Sequence, residues 1–129
     1  MATFKMGLNQ LEETLLKIEA FLGDADEKTK FKAMFICEEL LTNLVRHADF
    51  EDRTPTISLK IESDKGSGFV MEYRDNSKAF DLRSHKDPNI DAKIEERELG
   101  GLGIYLVKKY APNLEYKQEN GSNVLRLSL

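Results

Sequence analysis

Apolar and polar positions alternate along this chain in two rhythms, and each change of rhythm marks an element boundary. "ATFKMGL" alternates weakly with period two and predicts an edge strand. From Asn9 the period lengthens: Leu11, Leu15, Ile18 and Leu22 recur at helical spacing, with Asn9 as the expected cap and Gly23 as the stop. A second helix follows "DADEKTK" and runs to about Ala48, with Met34, Cys37, Leu41, Leu44 and Ala48 as its core-facing stripe. Beyond Pro55, "TISLKIES" and "FVMEYRD" alternate with period two around the turn chemistry of "DKGSG", which predicts a hairpin.

Between Lys78 and Leu99 no apolar period dominates, and a long irregular segment inside a compact domain reads as a lid or a disordered stretch. Ile104 to Tyr110 predicts a short helix. "NLEYKQE" and "NVLRLSL" follow as two strands joined through Asn120-Gly121, a strong hairpin signal. Strand, two helices, hairpin, lid, helix, hairpin make an α+β two-layer sandwich, with a mixed, mainly antiparallel sheet and the helices on one face. One domain over 1–129 is expected.

Composition narrows the function classes. At 129 residues with 40% hydrophobic and 33% charged side chains, the chain reads as a soluble globular domain. A net charge of −4 and a pI near 5.3 argue against a nucleic-acid partner. No apolar run approaches the roughly 20 residues that cross a bilayer, and the N-terminus lacks a signal-peptide core, so a cytoplasmic location without membrane contact is expected. Cys37 stands alone, which leaves no internal disulfide, and its neighbours in "AMFICEELL" mark it as a buried small hydrophobe rather than a nucleophile.

Three constellations carry chemistry. In "EELLTNLVRHA", Glu39, Asn43 and His47 stand at i, i+4 and i+8 and align along one side of the helix, away from the apolar stripe. As a bare pattern this is a solvated face, but asparagine is a poor mid-helix residue, and an oxygen ligand for a divalent cation would compensate. In "YRDNSKAFD", Asp75 arrives where a strand leaves the sheet, either an ordinary turn residue or a carboxylate placed for a ligand amine. "RELGGLGIYLVKKYA" sets Gly100, Gly101 and Gly103 before a helix whose unpaired N–H groups suit a phosphate. This loop has neither P-loop spacing nor a preceding strand; it follows the lid.

Taken in order, the three motifs resemble the N, G1 and G2 boxes of the GHKL ATPase superfamily, shared by gyrase, the heat-shock-90 chaperones and histidine kinases. The short form is most similar to the anti-sigma-factor serine/threonine kinases of bacteria. That resemblance implies a histidine-kinase-like ATPase fold, Mg2+ and ATP as cofactors, Glu39 as catalytic base and Asn43 as magnesium ligand. It implies that Asp75 accepts from the adenine amine and that His47, Ser77 and Phe80 lie at the nucleotide. Gly100, Gly101, Leu102, Gly103 and Ile104 would close over the phosphates, Ser122 would place a hydroxyl near adenine, and residues 82–99 would form the ATP lid. One departure is Ser77, where the family carries glycine. His85, in the lid, is expected to be merely solvated.

The resemblance implies a kinase that phosphorylates a small antagonist protein, binds a sigma factor or similar regulator, and pairs with itself. Two alternatives stand beside it: a binding-only module in which ATP gates partner docking, and a detached histidine-kinase ATPase domain, for which the phosphoacceptor helix pair is missing.

Overall fold

The computed structural model describes residues 1–63, 68–81, 83 and 101–129. Eight elements follow in order: β1 (Ala2–Met6), α1 (Leu11–Leu22), α2 (Glu27–His47), β2 (Ile57–Ser63), β3 (Phe69–Asp75), α3 (Gly101–Tyr110), β4 (Glu115–Glu119) and β5 (Ser122–Ser128). The sheet runs β1-β2-β3-β5-β4, and every neighbouring pair is antiparallel, so the expected mixed character is absent among the described residues.

Strand alternation sorts the sheet into two faces. Ile57, Leu59 and Ile61 on β2 and Phe69, Met71 and Tyr73 on β3 are buried in the core that the helices cover. The opposite face is charged: Glu72 on β3 takes Arg74 at 2.7 Å and Arg126 of β5 at 3.5 Å. Register then decides the site, since Asp75 pairs with Asn123, Tyr73 with Leu125 and Met71 with Leu127. Asp75, the last residue of β3, therefore faces the helical layer, with Asn123 beside it.

Each helix end shows which local signal prevailed. Gln10, not Asn9, occupies the N-cap of α1, and its side chain bonds Gly7 N–H at 2.8 Å rather than the helix. Gly23 closes α1 at φ 43°, a left-handed geometry that only glycine adopts freely. α2 begins inside "DADEKTK", because Asp26 caps it by accepting from Thr29 N–H at 3.2 Å. Its fully covered positions are Ala33, Ile36, Cys37, Leu40 and Leu41, with Met34, Leu44 and Ala48 at the margin of the core. α3 starts at Gly101, three residues before the expected Ile104. In the final hairpin Asn120 and Gly121 take φ of 51° and 79°, the paired positive values of a tight two-residue turn.

None of the described helices is long and apolar enough to cross a membrane.

Candidate nucleotide site

A cavity of about 540 Å³ opens between the helical layer and the sheet. α2 supplies one wall through Leu40, Asn43, Leu44 and His47; β3 supplies Tyr73 and Asp75; the following loop supplies Ser77, Lys78, Ala79 and Phe80. Ala48 and Asp49 after α2, Ile104 of α3, Tyr116 of β4, and Asn123 and Leu125 of β5 complete it. Its size and its mostly apolar walls with a few convergent polar groups suit a small organic ligand. Asn43 is half-buried and His47 exposed, and both share this wall with the apolar Leu40 and Leu44 rather than lying apart from the apolar positions.

The polar end of the cavity is built around one carboxylate. Asp75 is buried, 8% exposed, and its Oδ1 accepts from Ser77 N–H at 3.0 Å and from Asn123 Nδ2 at 3.1 Å. The Ser77 hydroxyl donates to the same oxygen. Among the described residues nothing donates to Asp75 Oδ2. Asn123 Oδ1 in turn accepts from the Tyr116 hydroxyl at 2.6 Å. Burial raises the Tyr116 phenol above its ordinary pKa. Ser77 is itself buried, with its hydroxyl on Asp75, so the departure from glycine reinforces the carboxylate's hydrogen bonding.

The loops framing this end are tied together. Asn76 Oδ1 accepts from Thr56 N–H at 2.8 Å, its Nδ2 donates to Thr54 O at 2.8 Å, and Lys78 N–H donates to Asp49 O at 2.7 Å. Asp81 is ion-paired with Arg83 at 2.8 Å, and Arg83's hydrogen bonds hold its carboxyl below the ordinary range.

The other expected residues divide. Glu39 does not line the cavity; it sits against the first turn of α3, where a methyl group on Gly103 would come within 2.0 Å of its Oε2. Partial burial, and then neighbouring Glu38, raise its pKa. Phe80 lines the cavity and is 52% exposed, and Ile104 is buried at its α3 wall. Ser122 does not line the cavity: strand parity turns it away from Asn123, and it lines a second recess with Ser58, Arg74 and the near edge of Asp75, which borders both. Gly101 opens α3 and Leu102 follows it, while Gly100, His85, residue 82 and the rest of the expected 82–99 lid, Arg83 excepted, lie outside the described residues.

Asn123 and Tyr116 escaped the sequence reading. A signal was present: Asn123, Leu125, Leu127 and Leu129 form a period-two series, which sets Asn123 on the core face and Ser122 off it.

Among the described residues no group of three or more His, Cys, Asp or Glu side chains could hold a metal. Asn43 lines the cavity, and its carboxamide carries one oxygen of the kind a hard cation takes. That donor set fits Mg2+, which keeps several waters and binds chiefly through substrate phosphates.

Comparison with known proteins gives this arrangement a context. Residues 4–129 match the family described as the histidine kinase-like ATPase domain. The serine/threonine-protein kinase BtrW of Bordetella bronchiseptica is 24% identical over 101 residues, which span 78% of this chain and 70% of that protein. Among solved structures, the histidine kinase domain of the blue-light activated histidine kinase EL346 from Erythrobacter litoralis superposes with a TM-score of 0.56 at 14% identity. The longer EL346 structure superposes with a TM-score of 0.59, also at 14% identity. Both superpositions cover 95% of this chain, yet only 59% and 40% of those chains, and at that identity they speak to the fold alone. The match takes in the whole cavity and all of the sheet but Ala2 and Thr3 of β1: the chain belongs to the GHKL-type histidine kinase-like ATPase domain family.

Proposed function

We propose that this kinase-like, ATP-binding domain is a Mg-ATP-dependent serine/threonine protein kinase of the anti-sigma-factor type. It acts as one domain over 1–129, phosphorylates a small antagonist protein, binds a sigma factor or similar regulator, and pairs with itself. The observation that carries the reading is Asp75: a buried carboxylate at the polar end of an apolar cavity, whose Oδ2 no described residue engages.

Each residue takes a role from its position. Asp75 Oδ2 accepts from the adenine 6-amino group, while Tyr73, Leu44 and Leu125 provide apolar walls for the base. Asn43 turns its carboxamide oxygen to Mg2+, with His47 one turn along the same wall. The first turn of α3 offers backbone N–H groups to the phosphates. Bound Mg-ATP supplies the transferable phosphoryl group and neutralises its charge; the chain's part is alignment. Glu39, whose raised pKa favours proton uptake, takes the proton of the acceptor hydroxyl. The weak likeness to BtrW favours serine or threonine over histidine as acceptor.

The test has two stages. Mg-ATP at about a hundred times its dissociation constant should stabilise the fold by roughly 2.7 kcal/mol in a thermal melt. Radiolabelled ATP should then label the cognate antagonist on serine or threonine. A flat melt overturns nucleotide binding, and a thermal shift without label overturns the kinase reading.

One observation favours a binding-only module: Glu39 packs on Gly103 outside the cavity lining. In that case partner affinity responds to non-hydrolysable ATP analogues, and Glu39→Gln changes nothing.

A further inference from the structure

We infer that Asn123 and Ser77 are positioning residues that saturate Asp75 Oδ1, so that Oδ2 is the single acceptor presented to the base and the site selects a 6-amino over a 6-oxo purine. The inference rests on the reading of the cavity as an ATP site. It adds which side chains of this chain orient the recognising oxygen.

The geometry fixes the direction of every bond. Asn123 Nδ2 lies 3.1 Å from Asp75 Oδ1, 3.1 Å from Ser77 O and 3.3 Å from Lys78 O. A carboxylate and two main-chain carbonyls can only accept, so the amide must turn its NH2 group toward them. Its Oδ1 then faces Tyr116, whose hydroxyl donates across 2.6 Å. The Tyr116 hydroxyl therefore feeds the Asn123 amide, and the amide feeds Asp75 Oδ1. Ser77 adds its N–H and its hydroxyl to the same oxygen.

Buried polar groups hold one orientation when every partner is satisfied. Here only Asp75 Oδ2 remains, among the described residues, without a donor. A 6-amino group brings the missing N–H, whereas a 6-oxo group would set its oxygen against the carboxylate with nothing to share. Ser77 and Asn123 need not touch the nucleotide to have this effect.

Binding of ATP and of GTP to the full chain, measured by calorimetry, tests the inference with Asn123→Leu and Asn123→Asp. With wild type preferring ATP, Asn123→Leu should weaken ATP by about tenfold or more while GTP changes less, so the preference shrinks. Asn123→Asp sets a second carboxylate beside Asp75, and such pairs must share a proton to coexist. The ratio of its ATP dissociation constant to that of wild type should therefore be larger at about pH 8.5 than at about pH 6. The other ionisable groups around this cluster are His47 on α2, Tyr73 on β3, Asp49, Lys78, Asp81 and Arg83 in the loops, and Tyr116 on β4. All are common to both proteins and cancel in the ratio.

Should Asn123→Leu fail to fold, Tyr116→Phe on the edge strand removes one hydroxyl alone. It should cost about two- to fivefold in ATP affinity and leave GTP unchanged. Variants that melt like wild type, keep its ATP preference and show a pH-independent ratio would overturn the inference and leave the ATP site standing. Wild type that binds neither nucleotide would overturn both.

Discussion

Gly103 and Glu39 meet where α3 begins beside α2, so closely that a methyl group on the glycine would lie 2.0 Å from Glu39 Oε2 and 2.7 Å from Cδ. Gly103 is helical, and its φ is not among the positive values of the chain. The need for glycine here is thus one of space, not of backbone geometry. The obstructing atoms belong to the end of a flexible side chain, which can swing away. Gly103→Ala should accordingly keep or raise stability, by up to about 1 kcal/mol from helix propensity. Phosphoryl transfer should fall by about tenfold or more as the carboxylate is displaced. A thermal melt paired with a labelling assay separates the two effects.

Glu39→Gln should bind Mg-ATP as wild type does and transfer no label. Its stability profile has a definite sign. Burial, then Glu38, raise the folded Glu39 pKa above its ordinary 4.5, so for this group the folded state binds more protons than the unfolded one. Its contribution to stability is thus fully present below pH 4.5 and declines as the pH rises through the raised value. Wild type and Glu39→Gln should melt alike at low pH, and the variant should gain a small advantage toward neutrality. Denaturant titrations across that range check the direction.

Gly68→Ala should be destabilising with little change in ligand affinity. A Cβ at Gly68 would lie 1.8 Å from Leu129 O, a main-chain atom held in the ladder by Phe69 N–H at 3.3 Å. Backbone cannot step aside as a side chain can, so the end of the β3–β5 ladder must shift. Overpacking of this kind costs about 1–3 kcal/mol. The expected signature is a lower urea midpoint with an unchanged slope.

Cys37 should resist thiol reagents in the native protein and react fully once unfolded. Its side chain is wholly buried, and burial pushes the thiol up to about 12 even though the Tyr73 hydroxyl donates to Sγ across 3.2 Å. Thiolate is the reactive form, and almost none exists at neutral pH. Rapid native labelling would contradict the packing of α2 on β3.

Much of this was legible in the chain because the determinants are local. The positive φ pair at Asn120-Gly121 follows from residues that tolerate it, and the burial pattern of β2 and β3 follows from their alternation. Resemblance places a hydroxyl at Ser122, just after Gly121, whereas the parity set by Leu125 and Leu127 puts Asn123 on the core face instead. What could not be read locally is the pairing of β3 with β5, which brings Asp75 to Asn123 across 48 residues. The start of α1 was missed for a smaller reason: Gln10 spends its amide on Gly7, and no side chain caps that helix.

Asn76 never reaches the cavity, yet its amide clasps both Thr54 and Thr56, while next door Lys78 N–H holds Asp49 O. The Lys78 bond ties the exit of α2 to the exit of β3, and the Asn76 bonds tie in the approach to β2, so the walls bearing His47 and Asp75 meet at one hydrogen-bonded corner. A defect at this remote amide would be felt at Asp75, as weaker ligand binding if the proposed site holds, and a screen confined to contact residues would overlook its cause.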